Sequence, residues 1–239
     1  MKAVLEYWPA FLQGLWVTVW VSVCIILLGA LGGVVLGALR LSKTPVIRAA
    51  TTFFIECVRG PSGLVWMFWV FYALPLIPGM PQLSAVGASI LVLAVGGAAY
   101  GSEIVRAGIE SVHLGQSDAC HALGLSKLHS FTRVVLPQAL SQIVPAFGSM
   151  ARDMIKWTAI VSFVGVHDVL YVADYVRSQT FQTFTVYCLV AAAYWILCLI
   201  CALAFLALEQ VLPLNRALRA ARVSAQSAAN AHALGGAAP

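Results

Sequence analysis

Charged residues are scarce in this sequence, and their scarcity excludes most soluble folds. Lys, Arg, Asp and Glu make up 10% of the 239 residues, whereas a typical soluble domain carries roughly 25%. Hydrophobic residues reach 61%, and the mean hydropathy is +0.91. The net charge of +5 does not indicate nucleic acid as a partner, because the basic residues lie between apolar runs, as in the loops of membrane proteins.

Several catalytic and ligand-binding motifs are also absent. No Gly-x-x-x-x-Gly-Lys-Ser/Thr occurs, so the chain is not expected to bind ATP or Mg²⁺ itself. Gly-x-Ser-x-Gly and His-Glu-x-x-His are missing, which disfavours an intramembrane enzyme with catalytic residues of its own. Cys198 and Cys201 form a Cys-x-x-Cys inside an apolar run. We interpret them as packing residues and expect no metal, because no second cysteine pair or histidine cluster completes a zinc site.

Long apolar runs predict an all-α membrane protein. A helix of about 20 apolar residues spans the hydrocarbon core, and five runs are long enough. They lie near residues 14–39, 51–75, 84–112, 137–165 and 183–208. In the first run, Gly29, Gly33 and Gly37 recur every fourth residue, a stripe that permits close helix packing. The alternative is that a membrane helix merely tolerates these glycines.

The loops between these runs predict an orientation. Arg40, Lys43 and Arg48 follow the first run, and further arginines follow the last. By the positive-inside rule, the loop after the first run and the segment after the last run are expected in the cytoplasm. The N-terminus is then outside and the C-terminus inside. Residues 166–182 are expected to form a polar outer loop. We predict a membrane domain over residues 1–222 and a disordered tail, rich in Ala, Ser and Gly, over residues 223–239.

Three charges interrupt the fourth apolar run. Arg152, Asp153 and Lys156 cannot face lipid at the centre of a helix, where each costs on the order of 2.5–3.5 kcal/mol on insertion scales. Asp153 and Lys156 can pair at i, i+3, as can Glu103 and Arg106 in the third run. An intramembrane charge cluster predicts a functional site; the alternative is a purely structural ion pair.

The segment from Gln116 to Pro137 is polar and basic inside this apolar chain, and it predicts two short helices. Ser117 is expected to cap the first, with Asp118 in its first turn. Gly124 stands where a chain leaves a helix through a left-handed residue. Ser126 is expected to cap the second helix. Pro137 prevents that helix from continuing unbroken, but it can start the next one. The small residues Ala119, Cys120 and Ala122 would let another protein approach closely.

This segment resembles the cytoplasmic coupling motif of ATP-binding-cassette (ABC) importer permeases. That motif is Glu-Ala-Ala, then Gly after three residues, then nine residues, then Ile-x-Leu-Pro. The spacing matches throughout, and Asp, Cys and Val replace Glu, Ala and Ile. The matching positions are Asp118, Ala119, Cys120, Gly124, Val134, Leu136 and Pro137. We call residues 116–137 the coupling segment.

The resemblance covers roughly residues 14–209 and is closest to the polar amino acid branch of these permeases. Residues 99–109 look like that branch's Ala-Tyr-x-x-Glu-Ile-x-Arg-Gly-Gly-Ile. Two stretches depart from it. Arg59 is followed by Gly-Pro-Ser-Gly instead of Gly-Thr-Pro-Leu. Ser149 takes an Asn position, and residues 156–160 read Lys-Trp-Thr-Ala-Ile instead of Lys-Asp-Thr-Ser-Leu. The carried solute is therefore expected to differ from an ordinary polar amino acid, an amino-acid derivative or opine-like compound being one option.

The resemblance implies a permease subunit in a bacterial inner membrane. Its expected partners are an ABC ATPase dimer that uses ATP and Mg²⁺, a second permease subunit, identical or sister, and a solute-binding protein. Lys156 or Arg152 is expected to meet a solute carboxylate, and Trp157 to wall the cavity. The full set of expected pathway residues is Arg59, Ser149, Arg152, Asp153, Lys156, Trp157 and Thr158. An ion-driven secondary transporter or channel is the alternative: it explains the membrane charges but not the coupling motif, and no internal repeat supports it.

Overall fold

A computed structural model describes residues 6–211 and places most of them in helices. The expected tail over residues 223–239 lies outside the described residues. The α-helices, numbered in chain order, are α1 Trp8–Arg40, α2 Pro45–Arg59, α3 Gly63–Phe68, α4 Ala85–Glu110, α5 Leu114–Ala122, α6 Lys127–Ser130, α7 Leu136–Trp157, α8 Val169–Thr180 and α9 Thr183–Val211. Two π-helical turns, Trp69–Ala73 and Phe131–Val135, follow α3 and α6, and 3₁₀ segments cover Leu74–Leu76 and Thr158–Val164.

The chain divides into two compact units. The first unit comprises residues 1–107 and 147–202, and the second comprises residues 108–146 and 203–239. Within the described residues, the first unit contains the aromatic and charged residues expected along a solute pathway. The second unit contains the coupling segment.

Within residues 6–211, four helices are long and apolar enough to cross a membrane: Trp8–Arg40, Ala85–Glu110, Lys127–Val164 and Thr183–Val211. The predicted single helix near 51–75 was wrong, because the chain breaks at Gly60–Ser62. Pro61 has no N–H to donate, so it cannot continue the hydrogen bonding of α2. Ser62 then caps the next helix, α3, by accepting a hydrogen bond from the Leu64 N–H at 3.3 Å. The apolar part that follows, Gly63–Leu76, is shorter than the other four.

The glycine stripe of α1 packs closely against α4. A Cβ placed on Gly33 would lie 2.9 Å from the Cα of Gly101, and one on Gly37 would lie 2.7 Å from the Cβ of Val105. Atoms that close force a shift, so the two backbones can approach only because no side chain stands between them. The predicted role of the stripe in close helix packing is confirmed.

Residues 166–182, expected as a polar outer loop, are mostly helical: they form α8 over Val169–Thr180. Asp168 caps this helix by accepting a hydrogen bond from the Tyr171 N–H at 2.9 Å. Val169, Ala173 and Val176 recur at helical spacing and are buried in a cluster with residues of α1 and α9, among them Phe11. This amphipathic helix was not predicted because its apolar face is narrow and its charged residues are typical of a loop.

Candidate functional sites: the coupling segment and an arginine-lined cavity

The coupling segment contains a turn between two helices that is held by local hydrogen bonds. The N–H of Gly124 donates to the carbonyl of His121 and the N–H of Leu125 to the carbonyl of Cys120, both at 3.0 Å. These two bonds define a Schellman motif. It needs a left-handed residue, and Gly124 has φ 73°. Ser126 then accepts a hydrogen bond from the His129 N–H at 3.3 Å and caps α6. The predicted roles of Gly124 and Ser126 are both confirmed.

The start of the first coupling helix differs from the prediction. Helix α5 begins at Leu114, with His113 as its N-cap, whose side chain accepts a hydrogen bond from the Gly115 N–H at 3.1 Å. Ser117 therefore lies inside the helix, and Asp118 lies beyond its first turn. The sequence signal was overlooked because His is not among the preferred N-cap residues, although its Nδ1 can accept a hydrogen bond.

The exposed side of the coupling segment is more apolar than expected. Asp118 and Ala119 are exposed, but Cys120 is 5% exposed and so does not offer a small surface to a partner. Instead, Leu123 and Leu128 are 79% and 74% exposed on either side of the Gly124 turn. The exposure of these two leucines was not predicted, because a leucine between polar residues is usually expected to be buried in the core.

Leu136 and Pro137 open α7 without a break in the chain of helices. Pro137 is the second residue of α7, and the backbone before it has to accommodate its ring and its missing N–H. The π-helical turn Phe131–Val135 precedes it and joins α6 to α7, so residues 127–164 form one continuous helical run. The expected interruption before Pro137 is therefore a widened turn, the kind of irregularity by which a helix accommodates a proline.

The first unit contains a cavity of about 790 Å³ lined by α2, α3, α4 and the end of α7. Aromatic side chains form much of its wall, among them Trp66, Tyr100 and Trp157. The Tyr100 and Trp157 rings meet edge to face at 5.5 Å between centroids. The guanidinium of Arg59 lies 5.0 Å from the centroid of the Tyr100 ring, within cation–π range. We call this space the Arg59 cavity.

The Arg59 cavity contains residues at which the sequence departs from the permease pattern. Pro61, Ser62 and Gly63 line it at one side, and Trp157 and Ile160 at another. These two stretches are nearly a hundred residues apart in the sequence. Their convergence could not be read from the sequence, and neither could the participation of Trp66 and Tyr100.

Glu103 joins Arg59 to two other helices. Its Oε1 accepts hydrogen bonds from Arg40 and from Arg59, the latter at 3.2 Å. Its Oε2 accepts one from Arg106 at 3.0 Å, which confirms the predicted i, i+3 pair. Glu103 therefore ties the ends of α1 and α2 to α4. The partners 44 and 63 residues away were not predicted, because no local spacing signals them.

Most of the other expected pathway residues lie outside the lining of this cavity. Arg152 donates to the Ser149 hydroxyl at 2.9 Å. Lys156 and Asp153 form an ion pair at 2.9 Å, with side chains 61% and 60% exposed. Thr158 is fully buried and donates to the Ile155 carbonyl at 2.7 Å. Of the expected pathway residues, the cavity brings together Arg59 and Trp157.

The helical arrangement matches that of solved transporter chains. The chain superposes with a TM-score of 0.81 on a crystal structure of an amino acid ABC transporter with histidines, at 30% identity, covering 87% of this chain and 97% of that one. An inward-facing structure of the MetNI methionine ABC transporter has the same fold, with a TM-score of 0.73 at 19% identity, covering 87% of this chain and 98% of that one.

Sequence comparison identifies the family. The profile of the binding-protein-dependent transport system inner membrane component matches residues 9–212, and the chain belongs to this family. It is thus a multi-pass membrane permease subunit of an ABC importer. A probable amino-acid ABC transporter permease of Sinorhizobium fredii is 36% identical over 187 residues, which cover 77% of this chain and 79% of that relative. A nopaline transport system permease of Agrobacterium fabrum is 31% identical over 204 residues, covering 81% and 84%.

Proposed function

We propose that this permease carries amino acids or amino-acid-like solutes into a bacterial cell in an ATP-driven cycle. Similar proteins support this class of solute: they include permeases named for amino acids in general, for glutamine, for cystine and for nopaline. Because these names differ, they support amino-acid-like chemistry without selecting one solute.

The proposed topology has five passes through the inner membrane, with the N-terminus outside and the C-terminus in the cytoplasm. Four passes are the long apolar helices, and the fifth is the short helical segment Gly63–Leu76. A segment of that length can complete a pass when neighbouring helices cover its ends and satisfy its backbone groups. The amphipathic α2 would then lie along the inner surface of the membrane.

The coupling segment is proposed to dock into a separate ATPase dimer, which binds ATP and Mg²⁺ while this chain binds neither. The observation that carries this proposal is an exposed, doubly capped helix–turn–helix with Leu123 and Leu128 at its surface. Asp118 and Ala119 would contact the ATPase directly. Cys120 would support α5 from inside. Leu136 and Pro137 would pass the motion of the segment to α7, as a rigid body.

A second permease subunit and a solute-binding protein complete the proposed importer. The exposed ion pair of Asp153 and Lys156 supports a neighbour or a watery pathway at this face of α7, because charges in a membrane helix avoid lipid. Ser149 and Arg152 lie on the same helix, and Thr158 follows it. We propose that these residues border the pathway, together with Arg59 and Trp157. The partner permease can be identical or a sister chain.

Gly124→Asp tests the coupling role. A Cβ at Gly124 meets no atom within 4 Å, so the variant adds backbone strain and a charge at the surface without a clash. We expect co-purification of the ATPase subunit to fall and ATP-driven uptake to drop by about ten-fold or more, since interface hot spots cost about 2 kcal/mol or more. The amount of folded permease in the membrane should not change.

Gly79→Asp is the matched control. Gly79 also has a positive φ, 88°, and open space around it, so it carries the same backbone cost outside the coupling segment. Uptake should survive this change. Equal loss in both variants would contradict the coupling role, and uptake that continues without any ATPase partner would favour an ion-driven transporter or channel instead.

A further inference from the structure

We propose that the Arg59 cavity binds a solute that carries both a carboxylate and a flat apolar group, and that this carboxylate replaces Glu103 as the partner of Arg59. The inference rests on the proposed transport function and deepens it, because it names the substrate class and the residue that recognises it. It assigns the carboxylate to Arg59 rather than to Lys156 or Arg152.

The charge of the cavity selects an anionic group. In the described part of the chain, Arg59 is the one charged residue among those that line it, and no acidic side chain shares the lining. A guanidinium presents a fork of donors that matches a carboxylate in two parallel hydrogen bonds. A neutral or cationic solute would make no charge-assisted hydrogen bond with this guanidinium.

Arg59 is held in an incompletely satisfied arrangement. Its Nε is buried and has no hydrogen-bond partner within the described residues. Its Nη1 alone meets carboxylates: it donates to Glu103 at 3.2 Å and lies 3.7 Å from Glu56 Oε1 on its own helix. An unmet buried donor is costly, so a shift of the side chain toward a second carboxylate can relieve that cost. The side chain is 31% exposed, which leaves it room to turn.

Glu103 can release Arg59 without losing its charge compensation. Arg40 bonds its Oε1 and Arg106 its Oε2, so both carboxylate oxygens keep a guanidinium partner after Arg59 leaves. The exchange therefore replaces the Glu103 carboxylate by the solute carboxylate on Arg59, while the longer contact with Glu56, at 3.7 Å, can remain. Solute binding would loosen the end of α2 from α4 at the same moment, which links occupancy of the cavity to the packing of these helices.

The aromatic walls select the rest of the solute. The indole Nε1 of Trp66 donates to the Val58 carbonyl at 3.2 Å, and the Trp157 ring is braced against Tyr100. Planar surfaces fixed in this way favour a flat apolar group, which stacks or packs edge to face with them. The volume of about 790 Å³ lies within the range of small-molecule sites, roughly 300–1,000 Å³.

Arg152 and Lys156 are less suited to the same role. Lys156 already pairs with Asp153, and Arg152 donates to Ser149. Neither lines the Arg59 cavity. A solute held by Lys156 would therefore lie elsewhere on α7, which makes the two assignments separable by mutation.

A matched pair of probes tests the inference: N-acetyl-L-phenylalanine, and N-acetyl-L-phenylalaninamide, which lacks only the carboxylate charge. Equilibrium binding is measured on the permease with its ATPase subunit in nanodiscs of phosphatidylcholine. We expect the acid to bind roughly ten-fold or more tightly than the amide, as a charge-assisted bidentate contact predicts. Arg59→Gln should remove that difference, and Arg59→Lys should keep part of it because the charge remains.

Two further variants fix the assignment. Lys156→Gln should preserve the preference for the acid over the amide, because Lys156 does not line the Arg59 cavity. Arg177→Gln, which breaks an exposed ion pair on α8, should leave binding of the acid unchanged. Equal affinity for acid and amide, or a loss with Lys156→Gln but not with Arg59→Gln, would overturn the inference. So would loss of acid binding in nanodiscs of phosphatidylglycerol, which would mean that a lipid headgroup occupies the cavity. ATP-driven uptake that persists in any of these cases would leave the proposed function standing.

Discussion

The coupling segment and the Arg59 cavity are built in opposite ways. The turn at Gly124 is held by hydrogen bonds between residues three to five positions apart, and Ser126 caps a residue three positions away. The cavity depends on Glu103, which meets partners 44 and 63 residues distant. One site is a local motif that a short sequence pattern can encode, and the other exists only when α2, α3, α4 and the end of α7 pack together.

This difference has an energetic consequence. A mutation in a local motif lowers the free energy of unfolding by the contribution of one cap or turn, typically about 1 kcal/mol. A mutation that separates two packed helices displaces all the side chains of a site built between them, because a close-packed interior does not deform gradually. Mutations in the two regions should therefore differ in size and in how far through the protein they are felt.

The largest effect is expected at the α1–α4 contact. Gly33→Leu would place a Cβ 2.9 Å from the backbone of Gly101, with three further carbons beyond it. Overpacking of this kind typically costs about 1–3 kcal/mol, and backbone contact puts this variant at the upper end. We expect a lower midpoint of thermal unfolding in detergent and weakened probe binding in the Arg59 cavity.

Ala38→Leu is the control on the exposed side of the same helix. It adds apolar surface without meeting α4, so its unfolding midpoint should stay near that of the native chain. If Gly33→Leu were as stable as Ala38→Leu, the glycine contact would not be what holds these helices together, and the comparison between packed and local sites would fail.

An intermediate effect is expected from pH at the N-terminus of α8. Burial raises the pKa of Asp168 from 3.8 to about 6, against the lowering effect of hydrogen bonds from the Tyr171 and Leu170 amides and the Tyr194 hydroxyl. The folded chain thus binds this proton more tightly than the unfolded chain. The resulting stability is fully present below pH 3.8 and is lost as pH rises through about 6.

Thermal unfolding in detergent checks this sign. From about pH 4.5 to about pH 7, the free energy of unfolding should fall by about 2 kcal/mol through this group alone. Asp168→Asn keeps a side chain that can cap a helix but does not titrate, so the fall should be smaller by that amount. A native pH profile that matches the Asn variant would show that Asp168 does not carry the effect.

The smallest effect is expected at the cap of α6. Ser126→Ala removes the acceptor for the His129 N–H and should cost about 1 kcal/mol, felt within one or two turns. Amide hydrogen exchange should speed up roughly five-fold in residues 127–130, while the overall unfolding midpoint changes little. Thr132→Ala, one turn further on, is the control. A large drop in the midpoint of thermal unfolding for Ser126→Ala would mean that this cap stabilises more than its own helix.

Several features could be predicted because they depend on neighbours in sequence. The apolar runs gave the four long helices, the glycine stripe of α1 indicated its contact face, and Gly124 and Ser126 indicated the turn. The errors also have local causes: His113 is an unusual cap, Gly60–Ser62 interrupt a run that hydropathy alone joins, and α8 combines a narrow apolar face with charges typical of a loop.

The sequence by itself determined the class of protein, its helical membrane architecture and the coupling segment, because hydropathy and capping act over a few residues. Only the tertiary structure decided which side chains share a cavity. Arg59 on α2, Tyr100 on α4 and Trp157 at the end of α7 meet because these helices pack together, and Glu103 ties α2 to α4. The spacing of these residues in the sequence does not predict their contact, because helix packing depends on how the ridges and grooves of whole helix surfaces fit together.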